Sequence, residues 1–128
     1  MSDIALLATA ILLGGMTFFS FGFAPVLFKL MPMAQARPVL RGTFPYYYAV
    51  VIGLSALATA LTLPLSPLAS ALLGAVTLST LYARQILMAQ INRATDDGRE
   101  SAFKRLHGLS VVIQLMQLAL CAWALLLI

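Results

Sequence analysis

Residues 107–128 read HGLSVVIQLMQLALCAWALLLI, and no residue after His107 carries a charge. The polar and soft positions in this stretch are His107, Ser110, Gln114, Gln117 and Cys121, spaced 3, 4, 3 and 4. That spacing puts them on one stripe of a helix, with Leu, Val, Ile, Ala, Met and Trp filling the other faces. A helix greasy around most of its surface with a single polar seam suits a membrane bundle. Lipid meets the greasy faces and other helices meet the seam.

The rest of the chain supports the same solvent. Of its 128 residues 62% are hydrophobic and 9% charged, against about 25% charged in a soluble domain. A chain this short cannot hide so much apolar surface from water. The net charge of +4 therefore reads as membrane topology first. No exposed basic run is interleaved with aromatics, so nucleic acid is not an expected partner. Cys121, the one cysteine, cannot form an intrachain disulfide and reads as a small hydrophobe before a reactive thiol.

Working outward, the sequence predicts an all-α integral membrane fold. It is a four-transmembrane-helix bundle forming one domain over 1–128, with helices at about 4–30, 44–63, 68–92 and 100–127. The first segment lacks the positive flank of a signal peptide, and Ala8-Thr9-Ala10 comes too early for a cleavage site, so it reads as a retained helix. Its second half is rich in Phe, with Pro25 near the end. Pro32, Pro38 and three cations make 31–43 read as an interfacial loop. Tyr46, Tyr47 and Tyr48 read as an aromatic belt at headgroup level, with a hydroxyl donor into a site as the alternative. On the second helix Tyr48, Ile52, Ser55, Thr59 and Thr62 share a face. Nothing from Gly42 to Ala83 ionises at pH 7; Pro64 and Pro67 divide that run into a hairpin. On the third helix Ser70, Gly74, Thr77, Leu81 and Arg84 share a face. Asp96-Asp97-Gly98 is a turn signal, and its acids read as a solvated linker or a helix cap.

Every Lys and Arg falls in or beside the two polar loops, 31–43 and 93–105. The positive-inside rule then makes those loops cytoplasmic and both termini outside, N-out/C-out. In a bacterium this is the inner membrane with periplasmic termini.

Residues for chemistry are few. Arg84 lies about 25 Å along its helix from Pro67, near the hydrocarbon edge, where it either snorkels or binds an anion. His107 is the only histidine; it is an interfacial polar residue, a metal or haem ligand, or a proton carrier. Gln114 and Gln117 need partners in hydrocarbon, supplied by neighbouring helices or by a ligand. The ligand-binding candidates are His107, Arg84, Gln114, Gln117, Ser110, Arg105 and Tyr47, with His107 also the metal candidate. No carboxylate lies within a span, and no phosphate loop, zinc motif or nucleophile triad occurs. The sequence therefore leans against an enzyme and against acid-driven antiport.

Three stretches carry a family resemblance: FFSFGFAPVLFKLMP, FPYYY, and FKRLHGLSVVIQ, with its Phe103, Leu106, His107 and Ser110 spacing. In these the chain resembles the transmembrane protein 205-like family of small four-helix membrane proteins. Gln114 stands where such proteins often carry Asn. The resemblance extends more distantly to HemJ-type protoporphyrinogen oxidases and CopD-like membrane domains. That kinship implies haem or porphyrin as cofactor, with His107 as ligand and Arg84 as propionate partner. The polar and small-residue seams point first to an accessory subunit packed in a homo-oligomer or a larger membrane complex; a bundle holding haem, porphyrin or another flat ligand near His107 and Arg84 is the alternative, and transport of a small hydrophobic solute ranks last because no span carries an ionisable coupling residue.

Overall fold

The computed structural model describes residues 2–128 and is entirely helical. Four long apolar helices make up the chain: α1 (Ser2–Leu30), α2 (Met33–Thr62), α3 (Pro67–Asp96) and α4 (Glu100–Leu127). They are 28 to 30 residues long, or about 42–45 Å at 1.5 Å per residue. The hydrocarbon layer is about 30 Å thick, so each helix can cross it with turns to spare. The connections are a few residues each, which forces an antiparallel up-down-up-down bundle. Each helix packs against its neighbours in chain order, and α4 closes the ring against α1.

The turns follow from local chemistry. Ser66 caps α3 by accepting a hydrogen bond from the Ala69 amide at 3.2 Å, with Pro67 at the first helical position. After α3, Gly98 adopts φ +68°, and the Arg99 amide reaches back to the Ala94 carbonyl at 2.9 Å. This is a left-handed glycine C-cap. The side-chain cap expected of Asp96 or Asp97 for the following helix is not formed: α4 starts after Arg99 with no side-chain cap.

Two segments expected as loops are largely helix. α2 begins at Met33 and not near 44, running through Pro38 and Pro45. Each proline removes one hydrogen bond from the carbonyl four residues back. Those carbonyls belong to Ala34 and Arg41, both on exposed residues at the polar end. There water can serve them, and membrane helices tolerate such prolines. α3 likewise runs to Asp96 instead of ending at 92. The polar connections thus shrink to short turns, and most of the charged residues ride on helical extensions beyond the apolar spans.

Two turns are widened. In Phe19–Phe23 the Ala24 amide reaches five residues back to Phe19. Pro25 follows directly, and its ring disfavours the ordinary turn before it. In Ala83–Leu87 the Met88 amide reaches back to Ala83, with no proline involved.

The core is a column of interleaved small and large side chains, among them Leu12, Met16, Val51, Ala58, Leu73, Val76, Cys121 and Ala124. Cys121 sits there as a packed hydrophobe, its sulfur 4.0 Å from that of Met16. Large apolar residues cover the outside, including Phe18, Phe21, Leu78, Val112 and Leu126. Greasy residues outside and small or polar ones inside is the distribution lipid dictates. On α2 the buried residues include Tyr48, Ser55 and Thr62, as expected. On α3 the buried seam is Ser70, Leu73, Val76, Thr80, Ala83 and Leu87. It is rotated from the expected face, leaving Leu81 exposed and Gly74, Thr77 and Arg84 half-buried.

Candidate functional site

The two glutamines of the α4 seam bond to the other three helices. The Gln114 amide nitrogen donates to the Ser20 hydroxyl of α1 at 2.7 Å and to the Tyr47 hydroxyl of α2 at 2.6 Å. One turn on, the Gln117 amide nitrogen donates to the hydroxyls of Ser79 at 2.7 Å and Thr80 at 3.0 Å, both on α3. Those hydroxyls in turn donate to the Val76 carbonyl. A hydroxyl can accept and donate at once, so on α3 the bonds from Gln117 run through to a backbone carbonyl. Among the described residues no buried side-chain nitrogen or oxygen lacks a partner.

Ser20 belongs to the widened turn of α1, and so does Phe19, whose ring stacks on Tyr47 at 4.0 Å and 14°. Phe44 meets Phe19 edge-on at 5.3 Å. The aromatic run on α2 therefore does not act as a uniform belt. Tyr46 is 76% exposed, as an anchor should be, but Tyr48 is 8% exposed and Tyr47 turns its hydroxyl inward to Gln114. Arg84, in the widened turn of α3, donates from Nε to the Pro45 carbonyl at 3.2 Å and from Nη1 to Gln85 Oε1 at 2.8 Å. Both widened turns thus grip the Pro45–Tyr47 stretch of α2.

A second polar group lies at the charged end. His107 is exposed and its ring is parallel to that of Phe103, 5.7 Å away. It shares a cleft of about 60 Å³ with Arg41, Tyr48, Asn92 and Ser110. Arg41 forms a two-pronged ion pair with Asp96, Nη1 to Oδ1 at 2.7 Å and Nη2 to Oδ2 at 3.0 Å. The pair ties the polar ends of α2 and α3 together beyond their apolar stretches, and both side chains are about half exposed. The Arg41 hydrogen bond, then its charge, hold the Asp96 carboxyl below the usual aspartate range. The same bond raises the guanidinium further. Asp96 is therefore a structural partner and not a free linker acid.

The predicted candidates separate. Tyr47 and Gln114 are bonded to each other, and Gln117 is bonded to α3 one turn on; His107 and Ser110 border the outer cleft; Arg84 is held at Pro45 and does not line that cleft. Arg105 is exposed near the start of α4. Sequence reasoning passed over Ser20, Ser79, Thr80 and Asn92, and it placed Arg41 at the charged edge without its partner Asp96. Ser20 had a signal: it is the one hydroxyl in the run FFSFGF, and a lone polar residue in hydrocarbon needs a partner.

The cleft that His107 borders does not enclose a haem. Its volume is about 60 Å³, whereas small-molecule pockets run to about 300–1,000 Å³. Arg84, the cation proposed for a propionate, is held against Pro45 and Gln85 and does not line this cleft. Among the described residues no group of three His, Cys, Asp or Glu side chains is placed to hold a metal ion.

A family model described as Domain of unknown function (DUF4149) matches residues 7–100. The chain belongs to this family. The family match spans most of α1, all of α2 and α3, and the turn before α4. It takes in Ser20, Arg41, Tyr47, Ser79, Thr80 and Arg84, while Gln114, Gln117 and His107 lie beyond it. No curated protein and no solved structure matches the chain.

Proposed function

We propose that this small four-helix member of the family is a structural or accessory membrane subunit, close in kind to the transmembrane protein 205-like proteins. It would be a single transmembrane domain over 1–128 that packs against itself or against a larger membrane complex. One observation carries the reading: the side-chain amide nitrogens of Gln114 and Gln117, deep in the bundle, are both taken up by hydroxyls of the other three helices. Those bonds hold helix to helix, which is what a packing module needs. What the bundle offers its surroundings is an apolar flank and a charged end.

The test is purification of the complete chain in mild detergent, with mass by light scattering and an absorbance spectrum of the same sample. The expected result is a defined oligomer or a stoichiometric membrane partner. A monodisperse monomer, or a stoichiometric Soret band, would overturn the proposal.

The charged end would face the cytoplasm and both termini the outside, because it holds all eight Lys and Arg residues against three acids. In a bacterium this places the chain in the inner membrane. Asp97→Cys in a Cys121→Ala background should resist an impermeant thiol reagent added to intact cells. Rapid labelling would reverse the orientation.

A further inference from the structure

We infer that the cleft between α2, α3 and α4 at the charged end binds the phosphate headgroup of an anionic phospholipid. Five polar side chains converge on it from three helices: Arg41 and Tyr48, Asn92, and His107 and Ser110. All five carry N–H or O–H donors, and none of the lining residues is acidic. Phe44, Met88 and Ile91 complete the wall with apolar surface, as a site open to acyl chains requires. A volume of about 60 Å³ is well below the roughly 300–1,000 Å³ of small-molecule pockets, so the cleft takes a small group and not a whole metabolite.

The ion pair with Asp96 does not exhaust Arg41. A guanidinium carries five N–H donors, and the carboxylate takes one from each terminal nitrogen. The pair instead fixes the guanidinium at the rim. Arginine held in a set orientation is the usual residue for recognising phosphate. The cleft also lies at the end of the bundle that holds the cations, which on the reading proposed above meets the headgroups. Anionic lipid is concentrated there by the charge itself, at about 1 kcal/mol per Lys or Arg near the surface.

The complete chain, reconstituted in phosphatidylcholine nanodiscs containing phosphatidylglycerol and then released into mild detergent, can be weighed by native mass spectrometry. One phosphatidylglycerol per chain should be retained in preference to phosphatidylcholine. Arg41→Gln and His107→Phe should each lower its retention roughly tenfold, the effect of one charge-assisted hydrogen bond. Arg37→Gln removes an exposed cation that does not line the cleft, and should leave retention within about twofold. His107 is exposed, so the His107→Phe result does not depend on the Arg41 ion pair holding the fold. Equal retention of phosphatidylcholine, or full retention by both cleft variants, overturns the proposal. Displacement of the lipid by millimolar inorganic phosphate would assign the cleft to the free anion and overturn the lipid assignment.

Discussion

The interior network and the charged-end cleft use the same kinds of side chain to opposite ends. Gln114 and Gln117 sit inside the bundle, and every donor bond described for them goes to another helix. Arg41, Asn92 and His107 lie at the charged end of the bundle, and they border an open cleft. The difference is one of solvent. In hydrocarbon an unpaired amide costs several kcal/mol, so its partners must be built in. At the interface a polar group can wait for an outside partner at little cost. Polar residues deep in this chain are therefore read as structure, and those at its rim as candidates for binding.

The comparison is tested most severely at Gln117, which is 2% exposed. Gln117→Ala removes both bonds to α3 and leaves a cavity. The expected loss is about 2–3 kcal/mol in a denaturant titration of the folded protein in mixed micelles. Gln117→Leu keeps most of the volume and should lose only about 1 kcal/mol. If both variants unfold like the wild type, the interior bonds do not hold the bundle together, and Gln117 returns to the list of ligand groups. Tyr47→Phe is gentler. It keeps the stack on Phe19 and removes only the hydroxyl that accepts from Gln114. Hydrogen bonds between membrane helices average about 0.6 kcal/mol, so the same titration should show a loss near that size. A larger loss would mean that the hydroxyl anchors more than one helix.

The two regions also differed in how readily the sequence disclosed them. The α4 stripe was readable because polar residues in an apolar span have one place to go. On α2 the hydroxyl spacing located Tyr48, Ser55 and Thr62 for the same reason. α3 was harder: its Ser and Thr residues lie on more than one face, and Leu or Val serves equally well against lipid or core. Thr77 illustrates the problem, since it bonds both to Ser55 across the helix gap and back to the Leu73 carbonyl of its own helix. Hydropathy carries little facing information when the solvent is itself apolar. The charged end was misread because prolines and cations signal loops in water, whereas here they decorate helices that outrun the bilayer. The Arg41–Asp96 pair spans 55 residues of sequence, and nothing local announces it.

The smallest effect is expected at that pair, since both side chains are half exposed and exposed ion pairs contribute little. Its value lies in the sign. The folded-state carboxyl of Asp96 is lowered, so whatever stability the pair contributes is complete above the ordinary aspartate value of about 3.9. It decays as pH falls below that value, through the lowered folded one. Asp96→Asn should therefore be slightly less stable than the wild type at neutral pH and lose that deficit in acid. Parallel thermal melts in detergent at neutral pH and near pH 3 would show the two curves converging. A deficit that persists unchanged in acid would mean the carboxylate charge is irrelevant. The pair would then act only as a neutral contact between the polar ends of α2 and α3, and the contrast between a closed interior and a charge-governed rim would lose its electrostatic half.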